Sequence, residues 1–284
     1  MKSLVRPELP TASVGSSQAT NRRRGQLCTF CNPPGAPLIY RGKLFRQPWP
    51  LLMTVQRVHS ALNVINEAMK FKIPGFSEQV KTTKAVTQFS DSIIVSYRMT
   101  ELGAVFDMLY DIYLLQISLI QQGISVRGAI SMGKLFHDEH VVFGPALVEA
   151  AELEKLAMYP RVILSKETLE LGLVDLHGDP DQTVKSLVKE DLDGMYFIDY
   201  FGVSPGEFHD GWDGLYTHMI ELRQMILRLS RLTKNPSLKL KHSWMRKKFN
   251  EVAIPLEKSR FTKFNGSYIS EDTQDAFISI SPFR

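Results

Sequence analysis

Two stretches of period-two alternation, with one long helical stripe between them, constrain this chain more than any other feature. Ala85 to Phe89 reads as a strand, Ser90-Asp91 as a tight turn, and Ser92 to Tyr97 as the returning strand. From Glu101 to Gln122 the apolar residues Leu102, Val105, Phe106, Leu109, Ile112, Leu115, Leu119 and Ile120 recur at helical spacing, and Gly123 is placed to stop the helix in the left-handed region. Ile124, Val126, Ile130 and Met132 then alternate with Ser125, Arg127, Ala129 and Ser131, the pattern of a strand with one buried face. His137-Asp138-Glu139-His140 is a polar turn, and Val141-Val142-Phe143 returns as a short strand. Gly144-Pro145 opens a helix to about Ala157, with proline suited to a first helical turn. Val162–Leu164 is another short strand. Ahead of all this, Val55, Val58, Leu62, Ile65 and Met69 mark a helix from Met53 to about Lys70. Helices alternating with paired antiparallel strands predict an α+β sandwich, a sheet covered by helices.

The flanks differ in character. Residues 1–52 read as irregular, because Arg22-Arg23-Arg24, the prolines at 33, 34, 37, 48 and 50, and Gly35 interrupt any regular element. No acidic residue occurs between Glu8 and Glu67. Cys28 and Cys31 are the only cysteines, too few for a disulfide framework, and they lack the second ligand pair that zinc needs. Beyond Asp175, Met195 to Tyr200 is strand-like, and Leu215, Met219, Leu222, Ile226 and Leu229 form a helical stripe. A basic segment carrying Trp244 and Phe249 follows. The expected organisation is therefore 1–52 irregular, 53–166 a central domain, and 167–284 a C-terminal extension with a strand and basic helices. No apolar run approaches 18 uninterrupted residues and the N-terminus has no apolar signal core, so a cytoplasmic protein without a membrane span is expected.

Over residues 53–166 the chain resembles the class III nucleotide cyclases in their divergent bacterial branch. Lys84-Ala-Val-Thr-Gln-Phe-Ser-Asp91-Ser-Ile-Ile-Val-Ser is similar to the family's hairpin, whose tip presents a metal-binding Asp after a Gly; Ser90 stands in place of that Gly. Ser125-Val-Arg-Gly-Ala-Ile-Ser-Met-Gly133, followed by Val142-Phe-Gly144-Pro-Ala-Leu-Val-Glu-Ala150-Ala-Glu-Leu-Glu154, resembles its strand–hairpin–helix unit, and Tyr159-Pro-Arg-Val-Ile-Leu-Ser165 fits the strand after it. Asp193-Gly194 and the run from Lys241-His-Ser-Trp244 to Asn250 are similar to the tail of the bacterial pyrimidine cyclases of anti-phage defence. The resemblance implies a ferredoxin-like cyclase sandwich with a C-terminal helical extension. It also implies a homodimer that shares its sites, and release of pyrophosphate as the 3′-hydroxyl attacks the α-phosphorus. Two divalent ions, Mg2+ or Mn2+, on two carboxylates would serve that attack.

Carried onto this chain, the resemblance makes Asp91 a metal ligand and Thr87 and Val141 the base-reading positions. Purine cyclases place Lys or Glu at the first of these and Asp or Cys at the second. Neither is present, and a pocket unable to satisfy a purine edge discriminates against it. UTP or CTP is the expected substrate, and cUMP or cCMP the product, a second messenger. Two departures bear on activity. Val148 and Glu152 occupy the family's Asn and transition-state Arg positions, leaving Arg127 on the preceding strand as the residue that could supply a catalytic cation. The first metal carboxylate has no counterpart, since positions 9–66 hold no Asp or Glu. Residues 16–52 read as divergent, or as translated out of frame relative to relatives. A catalytically inactive cyclase homologue acting as dimerising partner or nucleotide sensor is the second reading. A basic nucleic-acid module, with Trp244 and Phe249 interleaved among Lys241, Arg246, Lys247 and Lys248, is the third, set below the other two. An apolar surplus on the 101–122 helix, more than one sheet face covers, is a further reason to expect a homodimer.

Overall fold

A computed structural model describes residues 38–44, 63, 83–89, 92–101, 103–138, 140–174, 186–232, 235–258, 263–264, 267–268 and 271–284. Its sheet is built from β1 (Leu38–Leu44), β2 (Ala85–Phe89), β3 (Ser92–Tyr97), β4 (Val126–Met132), β7 (Val162–Leu164), β8 (Val188–Glu190) and β9 (Tyr196–Ile198). Their order is β2-β3-β1-β4-β7-β9-β8, antiparallel throughout except where β4 and β7 run parallel. The described helices are α1 (Ala104–Gln121), α2 (Pro145–Leu156), α3 (Lys166–Val174), α4 (Trp212–Leu232), α5 (Pro236–Lys258) and α6 (Glu271–Ile278). The class is α+β, as the alternation of periods predicts.

Period-two geometry divides the sheet into two unlike faces. Leu38, Tyr40, Ile93, Val95 and Tyr97 point into the main core with α1 and α4. Ile39 and Ile94 point the other way, against Ala146 and Ala150 of α2. On α1, Val105, Leu109, Ile112, Leu115, Leu119 and Ile120 are buried, and Gly123 ends the helix at φ 71° as expected. By length and apolarity α1 alone among the described helices could cross a bilayer, but 61% of it is buried inside the fold. Part of its apolar surplus meets α4 of the same chain. The α4 stripe of Leu215, Met219, Leu222, Ile226 and Leu229 is wholly buried, each side chain contributing about 1.5–3 kcal/mol of burial free energy.

Three expectations need correction. Residues 38–44 are not irregular: Leu38–Leu44 is a central strand, paired to β3 on one edge and β4 on the other, with Leu38, Ile39 and Tyr40 fully buried. The packing explains its glycine. The Tyr40 ring lies over the paired Gly42 and Gly128, where a Cβ on either would come within 2.7 Å of that ring or closer. The second correction concerns the return from β4. Both β4 edges are occupied, by β1 and β7, so the returning strand has none to join. It forms a separate ribbon, β5 (Phe136–His137) with β6 (Val142–Phe143), closed by a Phe136–Phe143 stack at 5.1 Å. Third, the sheet crosses the boundary drawn at 166. β9 pairs with β7, and one core holds residues from both sides. Two further expectations, the Met53–Lys70 helix (Asn63 excepted) and the Ser90-Asp91 turn, lie outside the described residues.

Candidate functional site

Register places Thr87, Ser92, Ile94, Ser96, Arg41 and Arg127 on the sheet face that α2 partly covers. Because α2 spans only the middle of that face, a groove of about 380 Å3 remains between β1–β3 and α2, lined by Arg41, Ser92, Ile94, Val142, Leu147, Val148 and Ala151. Ser92 is next in the chain to Asp91, which itself lies outside the described residues. The ribbon and α2 leave apolar side chains exposed beside the groove: Val141 at 46%, Phe143 at 58% and Val148 at 63%. Gly144, at φ 145°, makes the sharp entry into α2, and a Cβ there would sit 2.5 Å from the Lys134 carbonyl oxygen.

One carboxylate organises the charge behind the groove. Glu154, in the last turn of α2, is 2% exposed and accepts from Arg41 Nη1 at 2.9 Å and from Arg127 Nη2 at 3.1 Å. Two guanidiniums on one buried carboxylate leave the group cationic, and both arginines keep part of their surface in solvent. Lys241 of α5 stands close enough to Arg127 to feel its charge. Burial first, and then Arg127, push the Lys241 ammonium below its ordinary value. The arrangement suits an anion at the mouth, the charge-assisted fork geometry in which arginine excels.

At the other end His137 joins the ribbon to the sheet. Its Nε2 is 2.7 Å from Thr87 Oγ1 and its Nδ1 2.7 Å from Ser96 Oγ. Burial holds the imidazole below its ordinary value against the opposing charge of Asp138. Asp138 turns the chain by accepting from the His140 and Val141 N–H groups at 2.8 and 2.7 Å.

The residues singled out from sequence therefore fare differently. Arg127 is at the site but bound to Glu154. Thr87 is on the groove's face, with its hydroxyl engaged by His137. Val141 is on the ribbon beside them, its side chain half in solvent. Glu152 points outward, paired with Lys155 at 2.6 Å. Trp244 and Phe249 are buried at 8% and 0%, so they pack on the core and offer no surface on which bases could stack. Sequence reasoning missed Arg41, Glu154 and His137 as single residues, because their partners lie 113, 27 and 50 positions away.

Asp91, the metal ligand that the resemblance implies, lies outside the described residues. The described residues contain no group of three or more His, Cys, Asp or Glu able to hold an ion. The central strand brings the cation Arg41 into the groove, and Glu154 is already engaged by two guanidiniums.

A second charged cluster is centred on a buried guanidinium. Arg161, fully buried, donates to Asp191 and, through two nitrogens, to Asp193. Trp244 Nε1 donates to Asp191 at 2.7 Å, and Lys248 Nζ is 3.1 Å from the same carboxylate. Rings of Tyr159, Phe197 and Trp244 wall the guanidinium at 5.2–5.9 Å. Burial alone would raise the Asp191 carboxyl, but bonds from the Leu192 N–H, Trp244 and Lys248 hold it below the usual carboxylate range. This knot ties α5 to the sheet. Compared with known proteins, the chain matches no family model and no curated protein.

Proposed function

We propose that this protein is a nucleotide cyclase-type protein of the class III, pyrimidine-using branch, with UTP or CTP as the ligand of the groove beside α2. The observation that carries the reading is the shared face. The strand Ser92–Tyr97, the central strand Leu38–Leu44 and the helix Pro145–Leu156 surround one groove, with Arg41 in its lining and Arg127 joined to Arg41 through Glu154, and Thr87 lies on the same sheet face. Arg127 and Arg41 would meet phosphate oxygens at the mouth. Thr87 and Val141 offer no charged reader for a purine edge. The exposed Val141, Phe143 and Val148 would be covered by a second copy in a homodimer.

Arg41 favours a second reading. A guanidinium on the central strand opposes divalent cations, so this chain would bind the nucleotide and turn it over slowly or not at all, as a sensor or partner. Two assays decide between the readings. Product formation from each of the four nucleoside triphosphates is followed with Mn2+ or Mg2+, with Asp91→Ala as control. UTP binding is measured by calorimetry in EDTA. Turnover of UTP or CTP abolished by Asp91→Ala supports the enzyme. Binding in EDTA without turnover, lost in Arg41→Ala with Arg127→Ala, supports the sensor. Neither turnover nor binding refutes both, and turnover of ATP or GTP above UTP and CTP refutes the pyrimidine assignment.

A further inference from the structure

Outside that groove, the residues that follow α6 are held in a manner unlike the rest of the fold. Ser281–Arg284 has no regular secondary structure, yet its backbone is satisfied by side chains from other elements. The Phe283 N–H donates to Asn250 Oδ1 at 2.7 Å and the Phe283 carbonyl accepts from Asn250 Nδ2 at 2.7 Å. Arg223 Nε donates to the Ser281 carbonyl at 2.7 Å, and Arg246 Nη2 to the Arg284 backbone oxygen at 2.5 Å. Most backbone groups in a folded protein bond to other backbone. Here the Asn250 amide supplies the acceptor and donor that a neighbouring strand would supply, which is strand addition performed by one side chain.

The side chain is read as well. The Phe283 ring meets Phe249 edge-on at 5.3 Å and lies 5.3 and 5.1 Å from the Arg223 and Arg246 guanidiniums. Ser281 and Arg284 are exposed, so their side chains contribute little to recognition. Pro282 brings no N–H that would need a partner and biases Ser281 toward the extended form, lowering the ordering cost. An open groove of about 610 Å3, lined in part by Lys247, Glu251, Ile254 and Pro255, continues along α5 beside the segment.

We propose that this face of α4 and α5 is a peptide-recognition site, and that Ser281–Arg284 is its ligand held in cis. The ligand class is an extended peptide with an aromatic residue after proline, clamped through its backbone by Asn250. Tethering gives the cis segment an effective concentration on the order of millimolar, so it excludes a free peptide while it is attached.

The test is fluorescence anisotropy of a labelled Ser-Pro-Phe-Arg peptide against the chain ended after Ile280. Saturable binding is expected, weakened about tenfold or more by Asn250→Ala, by Phe→Ala in the peptide, and by use of the full chain in place of the shortened one. No binding to a shortened chain whose circular dichroism and melting match those of the full chain overturns the proposal. Equal binding by the full chain does so too. If the shortened chain does not fold, hydrogen exchange at the Phe283 amide decides. Protection in the full chain, lost in Asn250→Ala while α5 core amides stay protected, supports the site. An unprotected Phe283 amide in the unmodified chain overturns it.

Discussion

The two charged clusters are near mirror images in composition and opposites in setting. Around Glu154 one carboxylate is shared by two guanidiniums; around Arg161 one guanidinium is shared by two carboxylates. Arg161 is fully buried, walled by three aromatic rings, and its acidic partner Asp191 is buried and further bonded by Trp244 and Lys248, while its second partner Asp193 is 41% exposed. The arginines on Glu154 keep 22% and 29% of their side chains in solvent at the edge of a groove. A closed cluster of this kind fixes the position of a helix and is costly to break. An open one gives up little when altered and can exchange one anion for another. Similar ion-pair geometry thus carries different roles according to what water can reach.

That contrast makes Arg161→Met the most damaging single change. It leaves Asp191 buried beside Trp244 without its guanidinium, and a loss of about 3–5 kcal/mol is expected in urea unfolding. A loss below about 1 kcal/mol would make the closed cluster energetically ordinary and erase the distinction.

A buried histidine outside both clusters should show in the pH dependence of stability. His218 on α4 is fully buried, with Nε2 3.0 Å from the Tyr200 carbonyl, and burial drives its imidazole down to about 4. With an ordinary value of 6.5, the unfolded chain takes up this proton first as the pH falls. The His218 contribution is therefore complete above about pH 6.5 and disappears between there and about pH 4, by on the order of 3 kcal/mol. Unfolding free energy measured across that window should slope steeply in the native sequence and more shallowly in His218→Gln. Equal slopes would refute the assignment.

The open side should respond least. Glu154→Gln removes a charge from a buried group and should cost on the order of 1–3 kcal/mol, because one guanidinium loses its acceptor oxygen and both lose the opposite charge, but both can still reach water. Arg41→Ala and Arg127→Ala should each cost about 1 kcal/mol or less. Thermal melts of the three variants check the order. An Arg127→Ala loss matching that of Arg161→Met would mean that the two clusters are equivalent.

How much of this could be read from the sequence depends on how local its causes are. The α1 and α4 stripes, the 85–97 hairpin and the β4 alternation were legible because each buries one continuous face with its own period. β1 was not. Leu38-Ile-Tyr-Arg-Gly-Lys-Leu44 lies next to prolines and arginines, and becomes a strand because two others flank it. The ribbon's partner was misread because the occupancy of both β4 edges is a property of the whole sheet. Of the residues named from sequence, Thr87 and Val141 came from the resemblance, and Arg127 from its place on the strand before the helix where the family's Arg position holds Glu152. The Glu154 clamp and the His137 bridge join residues far apart in the chain, and no pattern along it announces them.

The central place of β1 has a consequence during synthesis. Its two neighbours in the sheet both leave the ribosome after it, β3 first and β4 only after α1 has been made. At about 5–20 residues per second, the Leu38–Tyr40 stretch waits on the order of seconds with neither edge paired. For that interval an apolar strand with two open edges is available to other nascent chains. The yield of active protein should thus depend on elongation rate and on holding chaperones, more than the stability of the finished fold would suggest.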